Sequence, residues 1–136
     1  MQKLAFLFIS MLLLAACQST PITGETVTVA TGTYQNVTAA ELKSMLKDKD
    51  FLLVNVHIPR GSSLPGTDLF IPYGEITVSE NILQLPAEKD SKIVLYCRSG
   101  RMSEIAAEEL VKLGYTNVWN LSGGMLGWEQ VGFPLE

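Results

Sequence analysis

The sequence runs to 136 residues, 47% of them apolar, with 10 basic side chains against 14 acidic ones and a formal net charge of −4. That length gives room for one domain and not two. No basic stripe or run of like charge points to nucleic acid, while two of the three arginines, Arg98 and Arg101, stand together as a local positive spot suited to a small anion.

Met1-Gln2-Lys3 is a short basic start, and Leu4 to Ala16 is apolar apart from Ser10. The run is too short for a bilayer span, which needs roughly 20 residues, and has the length of a secretory h-region. It ends Leu14-Ala15-Ala16-Cys17, with a large residue where ordinary signal cleavage needs a small one. The ending resembles the lipobox of bacterial lipoproteins. That resemblance implies removal of residues 1–16, a lipid anchor on Cys17 and attachment to a membrane of the bacterial cell envelope. Gln18 stands where an Asp commonly retains such proteins in the inner membrane, so a cell with two membranes would carry this one on the outer membrane, its domain in the periplasm. An ordinary secreted protein or an uncleaved anchor are the alternatives. Removing residues 1–16 takes away one lysine and no acid, so the mature chain stays acidic. A thioether at Cys17 would leave Cys97 as the sole free thiol.

Residues 17–32 are rich in Thr, Gly and Pro and read as a flexible tether, although Thr26-Val27-Thr28-Val29 alternates well enough for an edge strand. The folded domain is expected over 33–136. Tyr34–Val37 is a short strand, and Thr38-Ala39-Ala40-Glu41 is a capping box for a helix that buries Leu42, Met45 and Leu46. Phe51–Val56 is nearly continuous apolar sequence, as in a central parallel strand covered on both faces. Pro59, Gly61, Pro65 and Gly66 mark a loop, Leu69–Ile71 a short strand, and Val78–Leu85 a helix closed by Pro86. After the strand Ile93–Tyr96 comes a loop around Cys97. The next helix starts near Met102, with an apolar stripe at Met102, Ile105, Ala106, Leu110 and Leu113 and Gly114 as its C-terminal stop. Asn117–Leu121 is a last strand, followed by Ser122-Gly123-Gly124 and a short helix over Met125–Gln130.

Strands alternating with helices imply a mainly parallel sheet flanked by helices on both faces. Sites in such sheets lie beyond the carboxyl ends of the strands. Cys97, His57 and Ser122-Gly123-Gly124 each follow a strand, so three segments are expected to converge on one edge. A thiol facing a helix N-terminus is drawn toward thiolate by the dipole and the unpaired N–H groups, and thiolate is the reactive form, so Cys97 is expected to be ionised and open to solvent.

Cys97-Arg98-Ser99-Gly100, then a helix, then Gly123-Gly124-Met125, Trp128, Gly132 and Pro134 resembles the rhodanese domain, the sulfurtransferase family. The resemblance spans about Tyr34 to Leu135 and implies a five-stranded, mainly parallel sheet. Three positions depart from the family pattern. Met102 stands where Arg is frequent, Asn55-Val56-His57 replaces Asp-x-Arg, and Leu64–Asp68 replaces Gly-His-Ile.

The resemblance implies a thiosulfate sulfurtransferase-like enzyme. Cys97 would take sulfur from a small sulfur-containing anion as a persulfide and pass it to cyanide, an acceptor thiol or a protein. Arg98, Ser99, Gly100, Arg101 and Met102 would form the anion-binding loop, with backbone N–H groups aimed at the sulfur. His57 is an acid/base or anion-binding group, or a hydrogen-bonded loop residue. Ser99 and Ser103 are expected to cap the helix, and Trp119 and Trp128 to lie in the core. One His and one free Cys at no ligand spacing give no metal site, and no cofactor is expected. A Cys-x5-Arg phosphatase needs Arg where Ser103 stands. The rival reading is a membrane-tethered, non-catalytic module that binds a partner or senses oxidant through Cys97.

Overall fold

Ile93-Val94-Leu95-Tyr96 has apolar side chains at every position, which is stable only between two covering layers. In the computed structural model, which describes residues 20–136, all four are buried. Fully burying side chains of this size contributes about 1.5–3 kcal/mol each. Cys17 and the segment 1–16 lie outside the described residues.

The sheet has six strands: β1 (Glu25–Val29), β2 (Gly32–Val37), β3 (Leu52–Asn55), β4 (Leu69–Phe70), β5 (Ile93–Tyr96) and β6 (Val118–Leu121). Their order is β1-β2-β6-β5-β3-β4, all pairs parallel except β1 with β2. Five strands were expected. The sixth is β1, drawn from the stretch read as tether, so that the sheet starts before Gly32. Its Thr/Val alternation turns Val27 and Val29 inward against the core, and a tight turn at Ala30-Thr31 pairs it with β2.

Helices α1 (Ala39–Met45), α2 (Ser79–Ile82), α3 (Arg101–Lys112) and α4 (Gly124–Gln130) complete the fold. Period-2 alternation sorts the strand side chains onto two faces. Val54, Ile93, Leu95 and Val118 pack with Ala106, Ala107, Leu110 and Val111 of α3. Leu53, Val94, Tyr96, Trp119 and Leu121 pack with Leu42 of α1 and Met125 and Trp128 of α4. Both tryptophans are therefore core residues.

The capping box forms as expected. Glu41 N–H donates to Thr38 Oγ1 at 3.2 Å, and Thr38 N–H donates to the Glu41 carboxylate at 2.8 Å. α2 is shorter than the eight residues expected. The Asn81 amide donates to the Glu75 carbonyl at 2.9 Å, tying the segment to the preceding turn and competing with helix propagation; Leu83, beyond the helix, is 86% exposed. In α3 the buried side is Ser103, Ala106, Ala107, Leu110 and Val111. Ile105 and Leu113, expected inside, are 42% and 37% exposed. α3 ends in a Schellman motif at Gly114, with Gly114 N–H on Val111 O and Tyr115 N–H on Leu110 O.

Candidate functional site

Backbone hydrogen bonds continue past the ends of the parallel strands and line up the segments that follow them. Tyr73 N–H donates to Val56 O at 3.0 Å, and Val56 N–H to Tyr96 O at 2.9 Å. Beyond β6, Met125 N–H donates to Cys97 O at 2.9 Å and Leu126 N–H to Arg98 O at 3.0 Å. The cysteine loop is thus held on one side by the chain after β3 and on the other by the first turn of α4. The expected convergence of the segments carrying His57, Cys97 and Gly123-Gly124 is met at the level of the backbone.

The Gly-Gly pair has a steric cause. Gly123 and Gly124 adopt φ of +79° and +56°, a region disfavoured for residues with a Cβ. A Cβ on Gly124 would also collide with the carbonyls of Cys97 and Arg98. Gly100, at φ +105°, is the N-cap of α3 and turns the loop into the helix without a side-chain cap. Ser99 and Ser103 therefore do not cap it.

Cys97 Sγ accepts from Gly100 N–H at 3.1 Å and lies 3.4 Å from Ser103 Oγ. Ser103, fully buried, also donates to Gly100 O at 2.9 Å. A hydroxyl has one proton, so Ser103 serves either the carbonyl or the sulfur at any moment. Ser103 is the residue that sequence reasoning placed wrongly. The signal available was its spacing, three residues beyond the N-cap and on the inner side of α3.

Two expectations are corrected. An accessible thiol was expected, yet Cys97 is only 1% exposed and counts among the core residues of the α3 face. It continues the alternation of Ile93 and Leu95 toward that layer. A cradle of several amides around the sulfur was expected from Arg98 to Met102, and Gly100 supplies the one backbone N–H bonded to Sγ among the described residues. The N–H groups of Arg101 and Met102 lie in the first turn of α3 and have no intrahelical acceptor.

Arg98, Ser99 and Arg101 are exposed and Met102 is half-buried. The ion pairs among the described residues are Lys49–Asp68, Lys92–Asp50 and Lys112–Glu109, so neither loop guanidinium is neutralised by one. His57 is half-buried. Its N–H donates to Asn55 Oδ1 at 3.0 Å, and its Nδ1 is buried with no partner among the described residues. Asn55 in turn donates to Ser62 O at 3.3 Å. Tyr96, beneath the loop, has its hydroxyl bonded to Leu64 N–H at 3.0 Å and Thr67 Oγ1 at 2.7 Å. This pairing anchors the segment that replaces the family's Gly-His-Ile.

The family model of the Rhodanese-like domain matches residues 38–131. A sulfurtransferase of Allochromatium vinosum is 31% identical over 102 residues, which cover 73% of this chain and 92% of that protein. A thiosulfate sulfurtransferase of Pseudoalteromonas translucida is 26% identical over 98 residues, 71% of this chain and 90% of that protein. Among solved structures, a rhodanese-related protein of Thermoplasma volcanium superimposes with a TM-score of 0.59 at 27% identity, covering 76% of this chain and 98% of that one. The chain belongs to the rhodanese-like domain family.

Proposed function

We propose that Cys97 carries sulfane sulfur as a persulfide, taking it from a thiosulfate-like anion and giving it to a thiol or to cyanide. The observation that carries this reading is the meeting of two donors, Gly100 N–H and the Ser103 hydroxyl, on a single sulfur at the head of α3. Cys97 thiolate attacks the outer sulfur of the donor. The bond between the two donor sulfurs breaks, and sulfite leaves with its electron pair. An acceptor thiolate then attacks the outer sulfur of the persulfide, and Cys97 thiolate departs; with cyanide the product is thiocyanate. The sulfane sulfur changes hands and no external oxidant is consumed.

Each donor on the sulfur stabilises the charge that the two half-reactions leave there. In other enzymes, removing one such donor costs about 3 kcal/mol in rate. Arg98 and Arg101, exposed and in no ion pair among the described residues, hold the sulfonate end of the donor. The buried Sγ is reached when the exposed part of the loop, Arg98 and Ser99, yields to the donor. A second sulfur then extends the side chain by about 2 Å and carries the reacting atom away from the core. Turnover of thiosulfate and cyanide to thiocyanate tests the reading. Activity that survives Cys97→Ser, or no activity with any sulfane donor, would refute it.

The burial of Cys97 favours a second reading, a non-catalytic module whose loop binds a partner. In that case Cys97→Ser would leave the cellular phenotype intact. On the strength of Leu14–Cys17 we also propose that the mature chain is anchored by lipid on Cys17 to a membrane of the bacterial cell envelope, the outer membrane where the cell has two, with its domain in the periplasm. Cys17→Ala would then leave unprocessed precursor that no longer partitions into detergent.

A further inference from the structure

Residues 133–136 join the two segments that flank the cysteine loop. Ser63 N–H donates to Glu136 O at 2.9 Å, and Glu136 N–H donates to Ser63 O at 2.8 Å, the reciprocal pair of an antiparallel ladder. The stretch leading to Glu136 is bound to α4. Phe133 N–H donates to Trp128 O at 3.2 Å, the Trp128 indole N–H donates to Pro134 O at 2.9 Å, and the two rings meet edge to face at 4.9 Å. Ser63 belongs to the loop after β3, which Asn55 fastens at Ser62 O and Tyr96 at Leu64 N–H and Thr67 Oγ1.

These bonds close a ring. From the cysteine loop it runs through Met125 and Leu126 into α4, along 133–136 to Ser63, and back through the loop after β3 to Tyr96, the residue before Cys97. A loop enclosed in this way leaves the core only after one link parts. Met125, Trp128, Leu64 and Tyr96 are buried, whereas Ser63 is half-buried and Glu136 exposed. Water competes most readily for the Ser63–Glu136 pair, and exposed, sparsely packed segments open first.

We propose that residues 133–136 are a latch that gates access to Cys97. With the Ser63–Glu136 pair parted, α4 is no longer tied to the loop after β3 across this stretch. It then tilts off the Cys97 and Arg98 carbonyls and lets the loop carry the thiol, 1% exposed in the closed form, toward water. The inference rests on the proposed sulfur reading for the purpose of the gate, which is to admit donor and acceptor to Cys97.

The test places a disulfide across the latch. The Cα atoms of a hydrogen-bonded pair are about 5.5 Å apart, a separation that a disulfide spans. The full chain therefore carries Ser63→Cys and Glu136→Cys, with Cys17→Ala. Oxidised glutathione takes up the two electrons and two thiol protons as the bond forms, and Cys97 stays the free thiol, intact mass confirming that no glutathione is retained. Alkylation of Cys97 by iodoacetamide, read on its own peptide by mass, should be roughly tenfold slower in the oxidised form than in the same variant before oxidation. A chain stopped after Leu135 lacks the pair but keeps Phe133 and Leu135 on the core, and its Cys97 should react about fivefold faster than the parent's. Equal rates before and after oxidation would overturn the proposal, as would a shortened chain that keeps its circular dichroism and reacts at the parent rate. If the shortened chain loses its fold, the disulfide comparison decides. Alkylation needs no sulfane donor, so the two readings fail separately. A chain whose alkylation follows the disulfide but which never takes sulfur loses the sulfur reading alone, and one that takes sulfur while its alkylation ignores the disulfide loses the latch alone.

Discussion

The carbonyl oxygen of Cys97 occupies the space that a side chain on residue 124 would need, and the N–H of Met125 donates to that same oxygen at 2.9 Å. The two ends of the family motif, 27 positions apart, are therefore one structural unit. α4 spends the first N–H groups after Gly124 on the cysteine loop, and only a residue without Cβ lets the backbones approach that closely.

Gly124→Ala should accordingly destabilise the domain by about 1–3 kcal/mol from the positive φ alone, with the collision against Arg98 O at 2.6 Å adding to it. Gly127→Ala is the control, because its Cβ would meet only Ser122 O at 3.6 Å. Urea midpoints of the two variants check the difference. Equal stability would mean that the loop and α4 separate more easily than the bonds between them imply.

Ser103→Ala removes the hydroxyl shared by Cys97 Sγ and Gly100 O, while Gly100 O keeps its bond from Glu104 N–H at 3.0 Å. The expected cost in stability is about 1 kcal/mol. The larger effect should fall on chemistry. A hydrogen bond to a charged group contributes about 1.5–3 kcal/mol, so the alkylation rate of Cys97 by iodoacetamide should drop roughly tenfold or more. An unchanged rate would assign Ser103 to packing alone.

Much of this was legible in the sequence. The capping box at Thr38 and Glu41, the Gly114 stop, the all-apolar run Ile93–Tyr96 and the core tryptophans follow from local rules that tertiary contacts did not override. The stripe of α3 was misjudged by one position, because Ala107 and Val111 compete with Ile105 and Leu113 for the inner side. Alanines at 106 and 107 let the helix lie close to the sheet and settle the rotation. The depth of Cys97 was present in the alternation Ile93, Leu95, Cys97, but loop composition drew attention to glycine and arginine instead. The alternation Thr26–Val29 already marked β1 as a possible edge strand, but its threonines favour strands and tethers alike, so it was left out of the strand count.

If the proposed anion-binding role is right, Arg98→Gln and Arg101→Gln should each raise KM for thiosulfate about five- to tenfold, since each removes a guanidinium that would hold the donor anion. Folding stability should move by less than about 0.5 kcal/mol, as for other exposed positions. Alkylation of Cys97 by an uncharged reagent should stay near the parent rate. A rise in KM matched by an equal fall in the alkylation rate would show that the arginines act on the loop and not on the anion.

Burial first, then the carboxylates of Glu104 and Glu108, holds the Tyr34 phenol above its ordinary value of 10.0. A group whose folded value is raised stabilises the protein below its unfolded value, and that contribution is lost as pH climbs through the folded one. Thermal midpoints should therefore fall from about pH 10 upward, and Tyr34→Phe should flatten that decline. An identical alkaline slope in the variant would exclude Tyr34 as its source.

Sulfur loading of Cys97 is read most directly by weighing the intact mature domain after incubation with thiosulfate and removal of excess donor. The expected result is a mass gain of one sulfur atom on the parent chain, discharged by cyanide and absent from Cys97→Ser. An unchanged mass, with Cys97 still titrating as a free thiol under the same conditions, would contradict it.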